Sequence, residues 1–181
     1  MKGIKNNMVR AIFPGTFDPI HYGHIDIATR ASKLFDELII AVYDKPLKNL
    51  LFPPEVRLDL VRQCFQNDAK IRVMGYNNLT VDFCLQQQAQ VIVRGLRVFS
   101  DFEHEFRMAL ANKRLNDKIE VIALITSEQH TFLSSTTVRE IAILGGNVST
   151  MVPPHVELAL RSETQEIEEA QKMSQHTSLR D

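Results

Sequence analysis

Apolar residues occur in two kinds of spacing along the chain, and the two kinds alternate. Short continuous apolar runs predict buried strands at residues 9–13, 38–42, 71–74, 91–93 and 121–125. Longer segments, in which apolar residues recur every three or four positions, predict helices at residues 25–35, 55–65, 80–88, 100–115, 135–144 and 154–160. Strands that alternate with helices form parallel sheets, so this order predicts an α/β fold with helices on both faces of one sheet.

Local signals sharpen several of these helices. Pro54 suits the first turn of the second helix. Ser100 and Glu103 predict a capping box at the start of the fourth helix. Three large apolar side chains along that helix are expected in the core, namely Phe102, Phe106 and Met108. Two histidines are expected at the surface, namely His155 and His176.

Length and composition indicate a single globular domain in a cytoplasmic protein. The chain has 181 residues and a net charge of −1, with 44% hydrophobic and 24% charged residues, which excludes overall disorder and gives no sign of broad nucleic-acid binding. No apolar run approaches the roughly 20 residues that span a membrane, and the N-terminus lacks the apolar region of a signal peptide. Cys64 and Cys84 are expected as reduced core thiols. The domain is placed at residues 9–161, after an extension (1–8) and before a polar tail (162–181) that is a frayed helix or disordered.

The glycines exclude two common nucleotide-binding motifs. Neither G-x-x-x-x-G-K-[ST] nor G-x-G-x-x-G occurs, which argues against a P-loop kinase and a dinucleotide dehydrogenase. Instead, small and polar residues crowd the turn from the first strand into the first helix (13–24). A helix N-terminus after a parallel strand binds anions, and Gly15 with Gly23 would let a phosphate approach the backbone there.

His21 and His24 stand three residues apart at that helix entry, so they are expected on one side of it. An imidazole N–H at this position could stabilise charge that develops on a phosphorus atom. Two other interpretations stay open, in which the histidines only cap the helix or form an H-x-x-H metal pair.

Three further segments favour phosphate binding. Hydroxyl groups crowd the start of the fifth helix at residues 134–137, although capping alone also explains some of them. Arg94 and Arg97 follow the fourth strand, where arginines clamp phosphates, although surface arginines often bind nothing. Lys48 lies in the loop after the second strand, either as a phosphate contact or as a solvated lysine.

No Ser-His-Asp or Cys-His nucleophile stands out, so these elements together predict direct in-line transfer. An incoming phosphate would attack the α-phosphorus of a nucleoside triphosphate and expel pyrophosphate. Mg²⁺ is expected as the cofactor, held by the triphosphate and water rather than by protein ligands.

Two motifs, GTFDPIHYGH (15–24) and SSTTVRE (134–140), resemble the paired signatures of the HxGH nucleotidyltransferases. The further elements RGLR (94–97) and DFE (101–103) make the segment 9–160 similar to the bacterial phosphopantetheine adenylyltransferases. The resemblance implies a Rossmann-like domain, a homohexamer, and reversible AMP transfer from ATP to 4′-phosphopantetheine. The products would be dephospho-coenzyme A and pyrophosphate, within coenzyme A biosynthesis, and no nucleic acid or membrane partner is expected.

The resemblance also assigns residues. The catalytic residues would be His24, Lys48 and Arg97. The acceptor would be bound by Thr16, Lys48, Thr80 and Arg94. ATP would be bound by Thr16, Phe17, His24, Gly95, Leu96, Arg97, Glu105, His130, Thr131, Phe132, Leu133, Ser134, Ser135 and Thr136.

Three positions depart from the pattern of that family, which commonly has Tyr, Thr and Tyr in place of Phe13, His21 and His104. His21 is typical of relatives with other substrates. It keeps open a nucleotidyltransferase for another phosphate, such as nicotinamide mononucleotide or a glycerol phosphate. A module that binds nucleotide without turnover is the third interpretation.

Overall fold

The computed structural model describes residues 8–45 and 50–178. Lys48 and most of the N-terminal extension therefore lie outside the described residues. Five strands are present: β1 (Arg10–Gly15), β2 (Glu37–Tyr43), β3 (Ile71–Tyr76), β4 (Val91–Leu96) and β5 (Glu120–Ile125). The helices are α1 (Tyr22–Ala31), α2 (Pro54–Phe65), α3 (Thr80–Gln86), α4 (Phe99–Leu115), α5 (Ser135–Ile143) and α6 (Pro154–Ser178). Each predicted strand and helix is thus confirmed, with shifted ends.

The five strands form one parallel sheet in the order β3-β2-β1-β4-β5. Ile12 of β1 pairs with Ile39 on one side and with Ile92 on the other. The order of strands reverses at β1, because β2 and β3 extend to one side of it and β4 and β5 to the other. In such sheets the carboxyl ends of the strands at the reversal form the ligand crevice.

Helices cover both faces of the sheet, as predicted. Alternate residues of the strands point to opposite faces, so Phe13 and Ile40 join one core cluster while Ile12 and Ile39 join another. The first cluster includes residues of α1, α2, α5 and α6, and the second includes residues of α3. Burial on both faces explains the continuous apolar runs of β1, β2 and the first half of β4. The edge strand β5 is equally apolar in sequence, but its residues are exposed or half-buried.

Helix α4 differs from its prediction in two ways. Phe102, Phe106 and Met108 are about half exposed, so the prediction that they belong to the core is wrong. The reason is that α4 lies towards the β5 edge and has no fully buried residue. The capping box at Ser100 and Glu103 is also absent, since the helix begins at Phe99 without a side-chain cap.

The C-terminal region is more ordered than the apolar pattern predicts. Helix α6 continues to Ser178, whereas the pattern predicted its end near residue 160. Residues 161–166, just after the apolar spacing ends at Leu160, are exposed or half-buried. Glu157 and Arg161 form an i,i+4 ion pair at 2.6 Å that supports the helix there. Within the described residues the helix reaches Ser178, and whether the tail (162–181) is a frayed helix or disordered stays a prediction.

Three smaller predictions can be compared with the structure. Cys64 and Cys84 are free thiols, and burial raises the pKa of each to about 12. His155 is half-buried rather than a plain surface residue, with Nε2 3.1 Å from the carbonyl oxygen of Leu60. Across the described ranges, no helix combines the length and apolar character needed to cross a bilayer.

Candidate functional site

A cavity of about 340 Å³ opens at the carboxyl ends of β1 and β4, where the order of strands reverses. We refer to it as the first cavity. Its walls bring together three segments that the sequence singled out: the β1–α1 turn, the turn after β4 and the start of α5. The predicted site residues that line it are Thr16, Phe17, His24, Arg94, Gly95, Arg97, Glu105, Ser134, Ser135 and Thr136.

The β1–α1 turn requires glycine at position 15. A Cβ at Gly15 would lie 3.0 Å from the ring of Phe17, closer than ordinary packing allows. Phe17 itself has a positive φ of 50° and a side chain that is almost fully buried. Its ring meets the imidazole of His24 edge-on, with centroids 5.0 Å apart. Phe17 therefore lines the cavity and at the same time packs against His24.

His24 lies in the first turn of α1, and its Nδ1 accepts a hydrogen bond from the backbone N–H of His21 at 3.3 Å. In a neutral imidazole this contact leaves Nε2 to carry the proton. Burial is the main reason why the pKa of His24 lies well below its usual value of 6.5, and repulsion from His21, when that ring is protonated, and from Arg97 and Arg94 lowers it further. His24 is therefore a neutral hydrogen-bond donor at physiological pH.

Arg94 is held at the end of β4 by three hydrogen bonds. Its Nε and Nη2 donate to the Glu105 carboxylate at 2.7 and 2.6 Å, and its Nη1 donates to the carbonyl oxygen of Pro14 at 2.7 Å. This bidentate pairing of a guanidinium with a carboxylate is stronger than a single hydrogen bond between neutral groups. Glu105 was predicted as a nucleotide contact, and here it orients Arg94.

Arg97 connects two walls of the first cavity. Its Nε and Nη2 donate to Asp101, and its Nη1 donates to the carbonyl oxygen of Leu133 at 2.8 Å. Burial alone would raise the pKa of Asp101, but hydrogen bonds from Arg97 outweigh this and hold it below its usual range. The carboxylate therefore stays ionised and fixes the guanidinium.

Only part of the predicted segment 130–136 reaches the cavity. Ser134 caps α5 by accepting the backbone N–H of Thr137 at 3.0 Å, and Ser135 donates to the carbonyl oxygen of Pro19 at 2.9 Å. Leu133 is fully buried and Phe132 is 61% exposed. Four residues of the segment are absent from the cavity wall, namely His130, Thr131, Phe132 and Leu133, and Leu96 is absent as well.

A second cavity, of about 330 Å³, adjoins the first. Both cavities include Thr16, Arg94 and Glu105 in their walls. Thr80 lies in the second cavity, where its hydroxyl is 3.1 Å from that of Tyr76. Sequence reasoning missed several residues of this wall, namely Tyr43, Tyr76, Ala109 and Asn112. His104 lines the second cavity and not the first.

Buried charges behind the site were also missed. Asp18 is fully buried and accepts the backbone N–H groups of Leu51 and Phe52 at 2.8 and 2.9 Å. Its carboxylate also pairs with Arg139 at 3.1 Å. Asp18 lies within the GTFDP motif and Arg139 within SSTTVRE. The joint occurrence of the two motifs is the sequence feature from which this ion pair could have been predicted. Nothing in the sequence singled out Arg57, which is 1% exposed.

Comparison with known proteins identifies the family of this chain. The family model for cytidylyltransferase-like proteins matches residues 12–141. The phosphopantetheine adenylyltransferase of Herpetosiphon aurantiacus is 45% identical over 163 residues, which is 90% of this chain and 99% of that protein. The enzyme of the same name from Synechocystis sp. is 49% identical over 81% of this chain and 92% of its own length.

A solved structure from Vibrio parahaemolyticus, provisionally described as a nicotinate-nucleotide adenylyltransferase, superposes with a TM-score of 0.66 over 87% of this chain and 94% of its own. At 22% identity this likeness concerns the fold alone. It confirms the nucleotidyltransferase-like α/β architecture. The sequence relatives go further, and the chain belongs to the cytidylyltransferase-like family and, within it, to the phosphopantetheine adenylyltransferases.

Proposed function

We propose that this protein reversibly transfers AMP from ATP to 4′-phosphopantetheine, which gives dephospho-coenzyme A and pyrophosphate. The observation that carries the proposal is the shared wall of the two cavities at Thr16, Arg94 and Glu105. A triphosphate in the first cavity and an elongated phosphate acceptor in the second would meet at this wall. His24 lines the first cavity beside it.

The reaction is a single displacement at phosphorus. A phosphate oxygen of the acceptor attacks the α-phosphorus of ATP and forms the new P–O bond. The bond from that phosphorus to the oxygen bridging to the β-phosphate breaks, and pyrophosphate leaves with the electron pair. Such a reaction needs alignment and charge stabilisation more than a protein nucleophile.

His24 would stabilise the transition state in its neutral form. Its Nδ1 accepts from the His21 backbone, so Nε2–H is the available donor for charge growing on the α-phosphate. One such preorganised donor contributes about 3–4 kcal/mol to a transition state. Because the donor is neutral, binding the triphosphate requires no prior protonation of this imidazole.

Two groups of residues would bind the two substrates. Arg94, oriented by Glu105, would hold the acceptor phosphate together with Thr16 and Lys48, and Thr80 would contact the pantetheine arm. Arg97 and the N-terminus of α5 would hold the triphosphate, since backbone N–H groups at a helix start favour anions. Of the nucleotide contacts that the resemblance assigns, the proposal keeps those that line the first cavity, namely Phe17, Gly95, Glu105, Ser134, Ser135 and Thr136. Leu96, His130, Thr131, Phe132 and Leu133 do not line it.

Mg²⁺ would enter with ATP, coordinated by phosphate oxygens and water. Asp101 and Glu105, the two carboxylates in the first cavity, are each bound by an arginine and do not present a free ligand pair. Among the described residues no group of three His, Cys, Asp or Glu side chains could hold a metal ion. The cation would supply neutralisation of the leaving pyrophosphate.

We further propose that the protein is cytoplasmic, where its free cysteines would stay reduced. We also propose that it assembles as a homohexamer. In support, Phe99, Phe102 and Phe106 form a stacked and exposed aromatic row along α4, beside the edge strand β5. Exposed apolar rows of this kind mark protein interfaces. Sedimentation velocity on the wild type and on Phe102→Asp tests it. We expect the wild type to sediment as a hexamer and Phe102→Asp to sediment as a smaller particle. A wild type smaller than a hexamer would contradict the proposal.

The deciding experiment mixes the purified protein with Mg-ATP and 4′-phosphopantetheine, follows pyrophosphate release and identifies the product by mass. Catalytic formation of dephospho-coenzyme A, lost in His24→Ala, is the expected result. His155→Ala is the matched control, because this half-buried histidine contacts α2 away from both cavities. Turnover only with nicotinamide mononucleotide or a glycerol phosphate would contradict the acceptor, and ATP binding without any turnover would contradict the enzyme.

A further inference from the structure

A second histidine lies directly on His24. His21 is the residue that precedes α1, and its side chain is only 4% exposed. The two imidazole rings are stacked, with centroids 3.7 Å apart and planes inclined by 24°. His21 also lines the first cavity, so the pair lies at its wall.

Gly23 provides the room for this ring. A Cβ at Gly23 would lie 3.1 Å from both Cε1 and Nδ1 of His21, so any larger residue there would push the imidazole away. Within the described part of the chain, the buried Nδ1 of His21 has no hydrogen-bond partner. The His21 side chain faces the backbone N–H of His24 in a capping-box arrangement without completing a hydrogen bond there, so packing between Gly23 and His24 is the main restraint on the ring.

Burial, helped by nearby positive charges, keeps His21 neutral. Burial is the main cause, and the positive charges of Arg97 and His130 add to it, so the pKa of His21 is lowered to about 3. His24 and Arg94 are further basic groups of the same wall. The stack is thus a pair of uncharged rings over the physiological range.

We propose that His21 is a positioning residue, whose ring, packed over Gly23 and stacked on His24, holds the His24 imidazole in the orientation that presents Nε2–H to the reacting phosphate. The inference rests on the proposed function. It assigns His21 no contact with substrate of its own.

The remaining restraints on His24 explain why a stack is needed. The single hydrogen bond at its Nδ1 is long, at 3.3 Å, and Phe17 meets the ring only edge-on at 5.0 Å. Removal of the His21 ring would leave open space beside the imidazole and let it turn about its Cβ–Cγ bond. A misdirected donor slows the chemical step while the substrates still bind.

Three substitutions separate positioning from direct contact. His21→Ala removes the ring, His21→Phe keeps a flat ring without a nitrogen, and His21→Gln keeps a hydrogen-bonding group without a ring. We expect His21→Ala to lower kcat about tenfold with both KM values within about twofold of wild type, because misalignment affects the transition state alone. His21→Phe should recover most of the lost kcat, and His21→Gln should not.

Two results would overturn the inference. Recovery by His21→Gln but not by His21→Phe would mean that His21 hydrogen-bonds to a phosphate. A value of kcat for His21→Ala above half that of wild type would mean that the stack does not position His24. His155→Phe serves as the control for loss of a half-buried imidazole outside the site, and its kcat should equal that of wild type.

A spectroscopic measurement tests the same point without turnover. In the ligand-free protein labelled with ¹⁵N-histidine, His24 should give the signals of a single Nε2–H tautomer, and His21→Ala should give a mixture. Identical His24 spectra in the two proteins would overturn the inference. This comparison needs no substrate, so its result does not depend on the proposed reaction. The proposed reaction fails only if the wild type forms no dephospho-coenzyme A.

Discussion

Arg57 donates a hydrogen bond from Nη1 to the carbonyl oxygen of Thr16 over 2.6 Å, although its side chain is almost completely buried. The same guanidinium donates to the carbonyl oxygens of Tyr43 at 2.8 Å and Phe52 at 3.1 Å. One cation thus links the ends of β1 and β2 to the segment before α2. Thr16 and Tyr43 both line the second cavity, so Arg57 determines the shape of a wall that it does not itself form.

Substitution of Arg57 should cost stability and activity together. Arg57→Leu leaves three carbonyl oxygens without their donor, and we expect a loss of about 3 kcal/mol in the free energy of unfolding. The released Thr16 backbone should also lower kcat/KM. Urea unfolding and steady-state kinetics measure both effects. Arg62→Leu is the control, because Arg62 is exposed on the same helix. Equal stability of the two variants would contradict the role of Arg57.

Asp18 and Arg139 should be energetically coupled. Asp18 is fully buried, and its partner Arg139 is 18% exposed, so either single substitution leaves a charge poorly compensated. We expect Asp18→Asn to destabilise the fold by about 3 kcal/mol, the order found when a buried ion pair loses one partner. Asp18→Asn with Arg139→Gln should cost clearly less than the sum of the singles. Strict additivity in urea unfolding would refute the coupling.

The protein should lose stability in mild acid because His21 is buried and uncharged in the folded state. The folded-state pKa of His21 is about 3, whereas the unfolded chain binds a proton there near 6.5. The unfolded state therefore binds more protons below pH 6.5, and stability falls as the pH drops from 6.5 towards 3. At pH 5 this single group should cost about 2 kcal/mol relative to pH 7.5.

His21→Phe removes that group and keeps the ring. We expect the difference in unfolding free energy between pH 7.5 and pH 5 to be about 2 kcal/mol smaller in this variant than in wild type. Carboxylates titrate equally in both proteins, so the comparison isolates His21. The same pH sensitivity in both would show that His21 is already protonated in the folded state.

The planar guanidinium of Arg94 should bind the phosphate of the acceptor. We expect Arg94→Ala to raise KM for 4′-phosphopantetheine at least about tenfold, with a smaller change in KM for ATP. Arg94→Lys should not restore binding, since an ammonium cannot pair with Glu105 and a phosphate in the same geometry. Arg107→Ala on α4 is the control, because Arg107 and its partner Glu103 are both about 70% exposed. An unchanged acceptor KM for Arg94→Ala would refute the assignment.

The central strands of the fold could be predicted because β1 and β2 are buried on both faces. Continuous apolar runs such as 38–42 occur where neither face of a strand is exposed to solvent. The strand order could not be predicted, since it depends on which strands pair across the sheet. Helical spacing wrongly predicts Phe102, Phe106 and Met108 of α4 in the core, because it shows that a face is apolar without showing what covers it.

The first cavity could largely be predicted, and the second could not. Gly15, His24 and Ser134 lie within short motifs at the junctions of strands and helices, so local sequence reveals them. Tyr43 and Tyr76 come from two neighbouring strands and are the last residue of each. Their proximity follows from the register between β2 and β3, which pairs the two residues directly. No spacing along the chain encodes that pairing.

The wall of Thr16, Arg94 and Glu105 that the two cavities share has a consequence for inhibition. A compound with one arm in each cavity is tethered across this wall, so dissociation of one arm leaves it at high effective concentration near its own cavity. Two weak ligands joined by a short linker should therefore bind far more tightly than either alone. Such a compound should also leave slowly, because the second arm must dissociate before the first arm rebinds.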